Sequence, residues 1–394
     1  MRRITRYVLT EFLTVFCVAL LVMSLTLILG VVGWEVVHEG LAPSSFLKLL
    51  PYSVPIALLY AIPGTTLFAV CSIYGRMSAS NEIVAIKAAG ISPLTIISPV
   101  LVLTLLMSIL VVWLNDVAVS WGRTGAKRVV LESVEQIAYG MLRTRKSYST
   151  TRFSINVRAV EGQKLIKPTV TLRLNDNGPP MICVAEEAEL RSNPANETLE
   201  IVLRDCEMDM GPYHGEFPGT VAREIPLSAA TRRGYDSNRP SDTALGKIPH
   251  QLSQQRLEIK QLEQSFAVTA SLQMMTGDLD ALTSPEWVNR QNQMGSAVSR
   301  LNRLYTEPWR RVANGFSCFC FALVGAPLAI RLRNSDVWTS FGVCFLPILG
   351  VYYPLMMYGV DLAKSGDMPP HCVWLGNLVL CVIGYWLMRK VIRY

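Results

Sequence analysis

Six long stretches without Asp, Glu, Lys or Arg constrain this chain more than any other feature. A helix needs about 20 predominantly apolar residues to cross the hydrocarbon core of a bilayer, and each stretch is close to that length or longer. Three stretches precede a polar middle segment and three follow it. This arrangement excludes a soluble enzyme, a disordered protein and a simple nucleic-acid-binding protein. The six stretches are Phe12–Gly33, Leu49–Gly75, Ala88–Asn115, Val312–Ile330, Val337–Val360 and Met368–Met388.

Basic residues in the short connections predict the orientation of these stretches. Loops rich in Lys and Arg favour the cytoplasmic side of a membrane. Such residues precede the first stretch, separate the second from the third and the fourth from the fifth, and follow the sixth. We therefore expect both termini in the cytoplasm and residues 116–311 outside it. The residues are Arg2, Arg3, Arg6, Arg76, Lys87, Arg331, Arg333, Arg389, Lys390 and Arg393.

The polar middle segment changes character along its length. Residues 151–227 alternate apolar and polar side chains between turn-forming runs such as Asn175–Pro180, which predicts short strands in a sandwich, a jelly roll or an open β-layer. Residues 229–247 are typical of a flexible linker, and residues 250–310 show helical spacing, with a helix start at Ser284-Pro285. Cys183 and Cys206 could bridge two of the strands.

Familiar catalytic patterns are missing from the sequence. It contains no Gly-x-x-x-x-Gly-Lys-Ser/Thr run, no His-Glu-x-x-His and no Cys-x-x-Cys, so we expect neither ATP hydrolysis, nor a metal site, nor a cofactor. Carboxylates inside the apolar stretches, which mark proton and ion pathways, are nearly absent. Glu11 lies at the edge of the first stretch, where snorkelling or pairing with Arg6 accounts for it.

The connection between the second and third stretches is the most informative segment. It reads Tyr74-Gly-Arg-Met-Ser-Ala-Ser-Asn-Glu-Ile-Val-Ala-Ile-Lys-Ala-Ala-Gly-Ile-Ser92. The pattern predicts a short helix capped by Ser78 or Ser80, with Glu82 in its first turn and Gly90 as its C-terminal stop. Such an amphipathic helix fits the membrane surface and a partner protein equally well.

This run resembles the signature of the LptF/LptG (YjgP/YjgQ) permease family, in which a similar start, an acidic residue and Ala-Ala-Gly-Ile-Ser recur between the second and third spans. The similarity extends over nearly the whole chain and includes the six-span layout with one large domain between spans three and four. Further matching segments are Arg6-Tyr-x-x-x-Glu-Phe12, Tyr305-x-Glu-x-x-Arg-Arg311, Gly325-Ala-Pro-Leu-Ala329, Gly366-x-Met-Pro-Pro370 and Trp374-x-x-Asn377.

The resemblance implies an α+β membrane protein of the inner membrane, with six transmembrane helices and a periplasmic β-jellyroll-like domain inserted between helices 3 and 4. It also implies a permease subunit, not itself an enzyme, of an ABC transporter that extracts lipopolysaccharide or a similar glycolipid. The expected domains are helices 1–3 in residues 1–121 with a coupling helix at 77–90, the β-domain with its linker at 122–247, a helical extension at 248–311, and helices 4–6 at 312–394.

The resemblance further implies the partners. They are an LptB-like cytoplasmic ATPase, a second LptF/LptG-type permease and an LptC-like periplasmic bridge protein. Carried over onto this sequence, Glu82 is the expected acidic contact to the ATPase. Arg76, Ile83 and Ile86 are expected to support that docking face.

Five basic residues flank the outer ends of the third and fourth spans, against the usual charge bias. They are Arg123, Lys127, Arg128, Arg310 and Arg311. We hypothesise that they meet acidic groups of the transported lipid; ordinary anchoring at phospholipid headgroups is the alternative.

A second interpretation of the whole chain belongs to another class of function. In it, the protein is a membrane scaffold or sensor whose β-domain binds a partner. Association of an ABC-type ATPase with the Glu82 segment distinguishes the two.

Overall fold

The computed structural model describes residues 2–39, 43–132, 134–149, 153–172, 181–193, 198–210, 213–226, 239–277, 284–332 and 337–393. Within these residues, six helices are long and apolar enough to cross a membrane, which confirms the predicted number of spans. They are Arg3–Gly30, Leu47–Ala79, Leu94–Ala126, Pro285–Arg331, Trp338–Ser365 and Pro370–Arg393, here called spans 1 to 6.

The helices are numbered in chain order. They are α1 (Arg2–Glu39), α2 (Pro43–Ala79), α3 (Glu82–Ala88), α4 (Leu94–Val117), α5 (Thr124–Glu132), α6 (Val134–Arg145), α7 (Ile248–Thr276), α8 (Pro285–Arg331), α9 (Val337–Pro347), α10 (Tyr353–Ser365) and α11 (Leu375–Arg393). Short π-helical segments, Ala118–Arg123 and Ile348–Tyr352, continue α4 and connect α9 to α10.

The chain forms two compact units. The helical unit comprises Met1–Leu25, Pro55–Ser120 and Pro240–Tyr394, and the β unit comprises Thr26–Val54 and Trp121–Arg239.

Helix α8 is the central element of the helical unit. It is 47 residues long and contacts α4, α7, α9, α10 and α11. Its start is confirmed at the predicted place: Ser284 is the N-cap, its hydroxyl accepts a hydrogen bond from the Trp287 N–H at 3.3 Å, and Pro285 occupies the first turn.

Glycine permits close contact between α8 and its neighbours. A Cβ atom on Gly315 would overlap the Val112 side chain of α4 and would lie 3.1 Å from the Ser108 carbonyl oxygen. A Cβ on Gly384 of α11 would lie 2.7 Å from Leu323 Cγ of α8. Small residues of this kind allow helix backbones to approach in membranes, where van der Waals packing is a main source of association.

The β unit contains an antiparallel sheet, as the alternating sequence predicted. Its strands in the described residues are β1 (Ser147–Ser149), β2 (Phe153–Asn156), β3 (Ala159–Glu161), β4 (Lys164–Ile166), β5 (Thr169–Leu172), β6 (Met181–Asn193), β7 (Thr198–Met210) and β8 (Tyr213–Pro226). Strand β6 pairs with β7 along one side, and β7 pairs with β8. On its other side β6 pairs with β5, which continues to β2 and β1, and with β4, which continues to β3.

One face of the sheet and helix α6 share a buried core. Ile155, Val170 and Leu190 of the strands are buried together with Ala138 and Leu142 of α6. Tyr139 of α6 fixes the helix to the sheet, because its hydroxyl donates to the Gln163 carbonyl at 2.6 Å and accepts from the Leu190 N–H at 2.9 Å.

The hypothesised bridge between Cys183 and Cys206 is absent. Both thiols are free and buried, and burial raises the pKa of each. The strand register explains the absence, since Cys183 lies opposite Met208 and Cys206 lies opposite Ala185.

We expect Gly315→Ala to destabilise the protein by about 1–3 kcal/mol, because the added methyl group meets side-chain and backbone atoms of α4. Gly295→Ala, on the same helix but with open space around it, should be neutral or stabilising by up to about 1 kcal/mol. Thermal midpoints in detergent, followed by size-exclusion chromatography after heating, compare the two. Equal midpoints would contradict the close packing of α8 on α4.

We expect Tyr139→Phe to cost about 1–3 kcal/mol, because the buried Leu190 N–H loses its acceptor. Burial raises the pKa of the Tyr139 hydroxyl, so its contribution is present below the unfolded value of about 10 and is lost as pH rises through the folded value. The stability of the wild-type protein should therefore fall more steeply than that of the variant above about pH 10. Circular dichroism during alkaline titration measures both slopes, and parallel slopes would contradict the assignment.

Candidate functional site

The connection between spans 2 and 3 is a short helix between two tight turns. Helix α2 ends at Ala79, and α3 runs from Glu82 to Ala88. The N-cap is Asn81, whose φ of 60° is left-handed and whose side chain makes no capping bond; asparagine tolerates this conformation better than most residues.

The predicted serine cap of α3 is wrong. The Ser78 hydroxyl donates to the Ile330 carbonyl of α8 at 2.7 Å. The Ser80 hydroxyl donates to the Arg76 carbonyl at 2.9 Å and lies 3.0 Å from Glu82 Oε1. The N-cap position is instead occupied by Asn81, and no side chain caps the helix there.

The predicted glycine stop is confirmed. Gly90 has φ +78°, its N–H donates to the Lys87 carbonyl at 2.9 Å, and the Ile91 N–H donates to the Ile86 carbonyl at 3.1 Å. These two bonds form a Schellman motif, which requires a left-handed residue that glycine supplies without a steric penalty.

One face of α3 is fixed to the helical unit. Ile83 is buried in the main core and Ile86 packs against that core. Lys87 Nζ donates to the Val391 carbonyl at the end of α11, at 3.0 Å, where a cation is favoured by the helix dipole. The opposite face carries Val84, which is 47% exposed, with the exposed Ala85 and Ala88.

Arg76 joins α1, α2 and α3 in a group that we call the Arg76 cluster: Tyr7, Glu11, Arg76 and Glu82. The Arg76 guanidinium donates to the Tyr7 hydroxyl at 2.9 Å, forms an ion pair with Glu11, and lies 3.7 Å from Glu82 Oε1. Glu11 therefore pairs with Arg76 of α2, whereas the sequence suggested Arg6 of its own helix. The Arg76 side chain is 46% exposed and that of Glu82 33%, so both remain accessible.

A second arginine is buried among polar groups of the helical unit. The Arg311 side chain is only 1% exposed. Its Nε donates to Glu307 at 3.0 Å, and its Nη2 donates to the Thr243 carbonyl at 2.7 Å and the Ser241 carbonyl at 3.3 Å. Its Nη1 lies 3.6 Å from Asp116 Oδ1, and that oxygen also accepts the Leu245 N–H at 2.8 Å.

We call Arg311, Glu307 and Asp116, with the backbone groups that they bind, the Arg311 node. This node holds the segment that precedes α7. Within the predicted linker 229–247, residues 229–238 lie outside the described residues. Pro240–Asp242 and Leu245–Lys247 form 3₁₀ turns whose backbone bonds to Arg311 and Asp116. Arg311 is thus surrounded by protein groups and is not exposed to a lipid headgroup.

The other expected headgroup residues have different surroundings. Arg310 forms a bidentate pair with Glu307, at 3.0 Å and 2.7 Å, and keeps 28% of its side chain exposed. Arg123 and Arg128 belong to the β unit, where Arg123 is half-buried and Arg128 is exposed. The side chain of Lys127 lies outside the described part of the chain.

Sequence reasoning missed Glu307, Asp116 and Tyr7 as partners of the arginines. A local signal existed for Glu307, since it precedes Arg310 and Arg311 by three and four residues, the spacings at which helical side chains meet. No local signal pointed to Asp116 or Tyr7, which are distant in sequence from the arginines that they meet.

Comparison with known families identifies the chain. The sequence model described as "Lipopolysaccharide export system permease LptF/LptG" matches residues 2–390. The chain belongs to the LptF/LptG family. No curated protein matches it. The match confirms the resemblance found in the sequence and makes the protein a multi-pass inner-membrane component of lipopolysaccharide export, a transport protein and not an enzyme.

We expect Arg311→Gln to cost about 1–3 kcal/mol, because the Ser241 and Thr243 carbonyl groups lose their buried donor and Glu307 keeps only Arg310 as its partner. Arg310→Gln should cost less, since Glu307 keeps Arg311 and the Arg310 side chain is partly exposed. Heating in detergent followed by size-exclusion chromatography compares the variants. A smaller drop in the thermal midpoint for Arg311→Gln than for Arg310→Gln would contradict a structural role for the Arg311 node.

Proposed function

We propose that this chain is the permease subunit of an ABC transporter, in which a separate ATPase docks on α3 and drives extraction of lipopolysaccharide or a similar glycolipid. The observation that carries the proposal is the attachment of α3. Its seven residues are too few for a stable isolated helix, yet it is held to the helical unit by contacts of three kinds.

Those contacts give α3 a mechanical connection to several spans. Ile83 enters the core, Lys87 bonds to the end of α11, and Glu82 lies beside Arg76 of α2, which in turn pairs with Glu11 of α1. A displacement of α3 by a docked partner would therefore act on α1, α2 and α11 together. A surface helix that served only as a connection would not need these bonds.

The exposed side of α3 is suited to a protein partner. Val84, Ala85 and Ala88 form a small, mostly apolar surface, beside which the partly exposed Glu82 offers a carboxylate to a basic residue of the ATPase. In this proposal Glu82 is the contact residue and Arg76 orients it. Ile83 and Ile86 support the docking face from beneath, as anchors.

The proposed orientation follows from the basic connections. Both termini and α3 face the cytoplasm, and the β unit lies in the periplasm, where it passes the lipid to an LptC-like bridge protein. A second LptF/LptG-type permease completes the membrane part. Among the basic residues at the outer ends of the spans, Arg123, Arg128 and Arg310 are the proposed contacts for acidic groups of the lipid.

The test is copurification with a candidate ABC ATPase. We expect the wild-type chain to retain the ATPase and Glu82→Lys to lose at least nine-tenths of it, because a cation replaces the acidic contact. Glu263→Lys is the matched control: Glu263 is exposed on α7, so its reversal makes the same change in charge away from α3.

Three outcomes decide the proposal. Loss of the ATPase from Glu82→Lys but not from Glu263→Lys supports docking at α3. Equal loss in both variants indicates a general charge effect and contradicts it. Failure of the wild-type chain to retain any candidate ATPase would favour the scaffold or sensor interpretation.

A further inference from the structure

A groove of about 540 Å³ lies at one end of the helical unit, between the first turns of α1 and the end of α2. Its shape is defined by both helices, so it exists only in the folded unit. The lining residues are Arg3, Arg6, Tyr7, Thr10, Glu11 and Arg76.

The groove is strongly basic. Its lining contains three arginines and one acidic residue, Glu11, whose carboxylate is already paired with Arg76. Arg3 and Arg6 are exposed and have no ion-pair partner among the described residues. Two positive charges therefore remain for an external anion.

The position along the spans sets the depth of the groove. The first uncharged stretch begins at Phe12, and the second ends at Gly75, immediately before Arg76. The groove therefore lies where the apolar parts of two spans end, at the level of the lipid headgroups. Tyr7 is 46% exposed there, a position that suits its amphipathic ring.

An apolar surface continues from the groove along α1. Leu13 follows Arg6 by seven residues, two helical turns further on the same face, and is 42% exposed. The exposed Cys17 and Leu21 continue this face. An acyl chain below a headgroup in the groove would lie against these side chains.

We propose that this groove binds the phosphate of an anionic phospholipid, with Arg3 and Arg6 as its main ligands and Arg76 as the third cation. Basic pockets between spans are a recurrent form of headgroup site. The depth of the groove and the apolar surface beside it favour a lipid over an acidic segment of a partner protein. The inference does not depend on α3 docking an ATPase, nor on which side of the membrane the groove faces.

The experiment is a titration of the detergent-purified full chain with phosphatidylglycerol, with bound lipid counted by native mass spectrometry. At about 1 kcal/mol per basic residue near a lipid phosphate, the double variant Arg3→Gln/Arg6→Gln should bind roughly 30-fold more weakly than the wild-type chain.

The control is the double variant Arg389→Gln/Arg393→Gln. Both residues are exposed and flank the Val391 carbonyl that bonds to Lys87 of α3. The control therefore removes the same amount of positive charge at the same end of the helical unit as the groove. This control should bind as the wild type does. Phosphatidylcholine, which carries no net charge, should bind weakly to all three proteins.

Three results would overturn the proposal. Equally weakened phosphatidylglycerol binding in both double variants would show a general attraction between basic residues and anionic lipid, not a specific site. Displacement of the lipid by equimolar inorganic phosphate would show that a free anion is the ligand. Undiminished lipid binding in Arg3→Gln/Arg6→Gln, together with loss of a copurifying ATPase, would assign the groove to a protein partner.

Discussion

The packing of α8 against α4 and α11 is the interaction on which the helical unit depends. In a bilayer the backbone bonds of each helix are satisfied internally, so association relies on close contact and on a few polar bonds between helices. Gly315 supplies the close contact with α4. Asn377 of α11 adds a buried bond, since its Nδ2 donates to the Ala313 carbonyl at 2.9 Å. The position of α8 in turn fixes Glu307, Arg310 and Arg311, and its Ile330 carbonyl holds Ser78.

Two arginines secure the segments that join the spans. Arg76 holds α3 beside α1 and α2, and Arg311 holds the turns before α7. A guanidinium suits this task because it carries five donors in a rigid plane and stays charged. The two sites differ in exposure, 46% for Arg76 and 1% for Arg311. Only Arg76 is therefore placed to exchange its partners with a ligand or another protein.

The sequence predicted what short-range signals determine. The six spans follow from uncharged length, the start of α8 from Ser284-Pro285, the end of α3 from Gly90, and the sheet from alternation. It failed where a partner is distant in the chain: Ser78 bonds to a carbonyl 252 residues away, and Arg311 to one 68 residues away. Arg311 was expected at the lipid headgroups because the sequence reveals its charge but does not reveal that its side chain is buried. The likeness to a known family supplied the proposed partners, which no local pattern contains.

Arg76 connects the two proposals made for this end of the molecule. It lines the proposed lipid groove, and it also lies beside Glu82 at 3.7 Å, the proposed contact of the ATPase. A phosphate that attracted the Arg76 guanidinium would weaken its hold on Glu82 and alter the docking surface. Linkage then requires the reverse effect to be equal: a docked ATPase would change the affinity of the groove for its lipid by the same factor. The Arg76 cluster would thus make the docking of the ATPase sensitive to the lipid composition of the membrane in which the protein works.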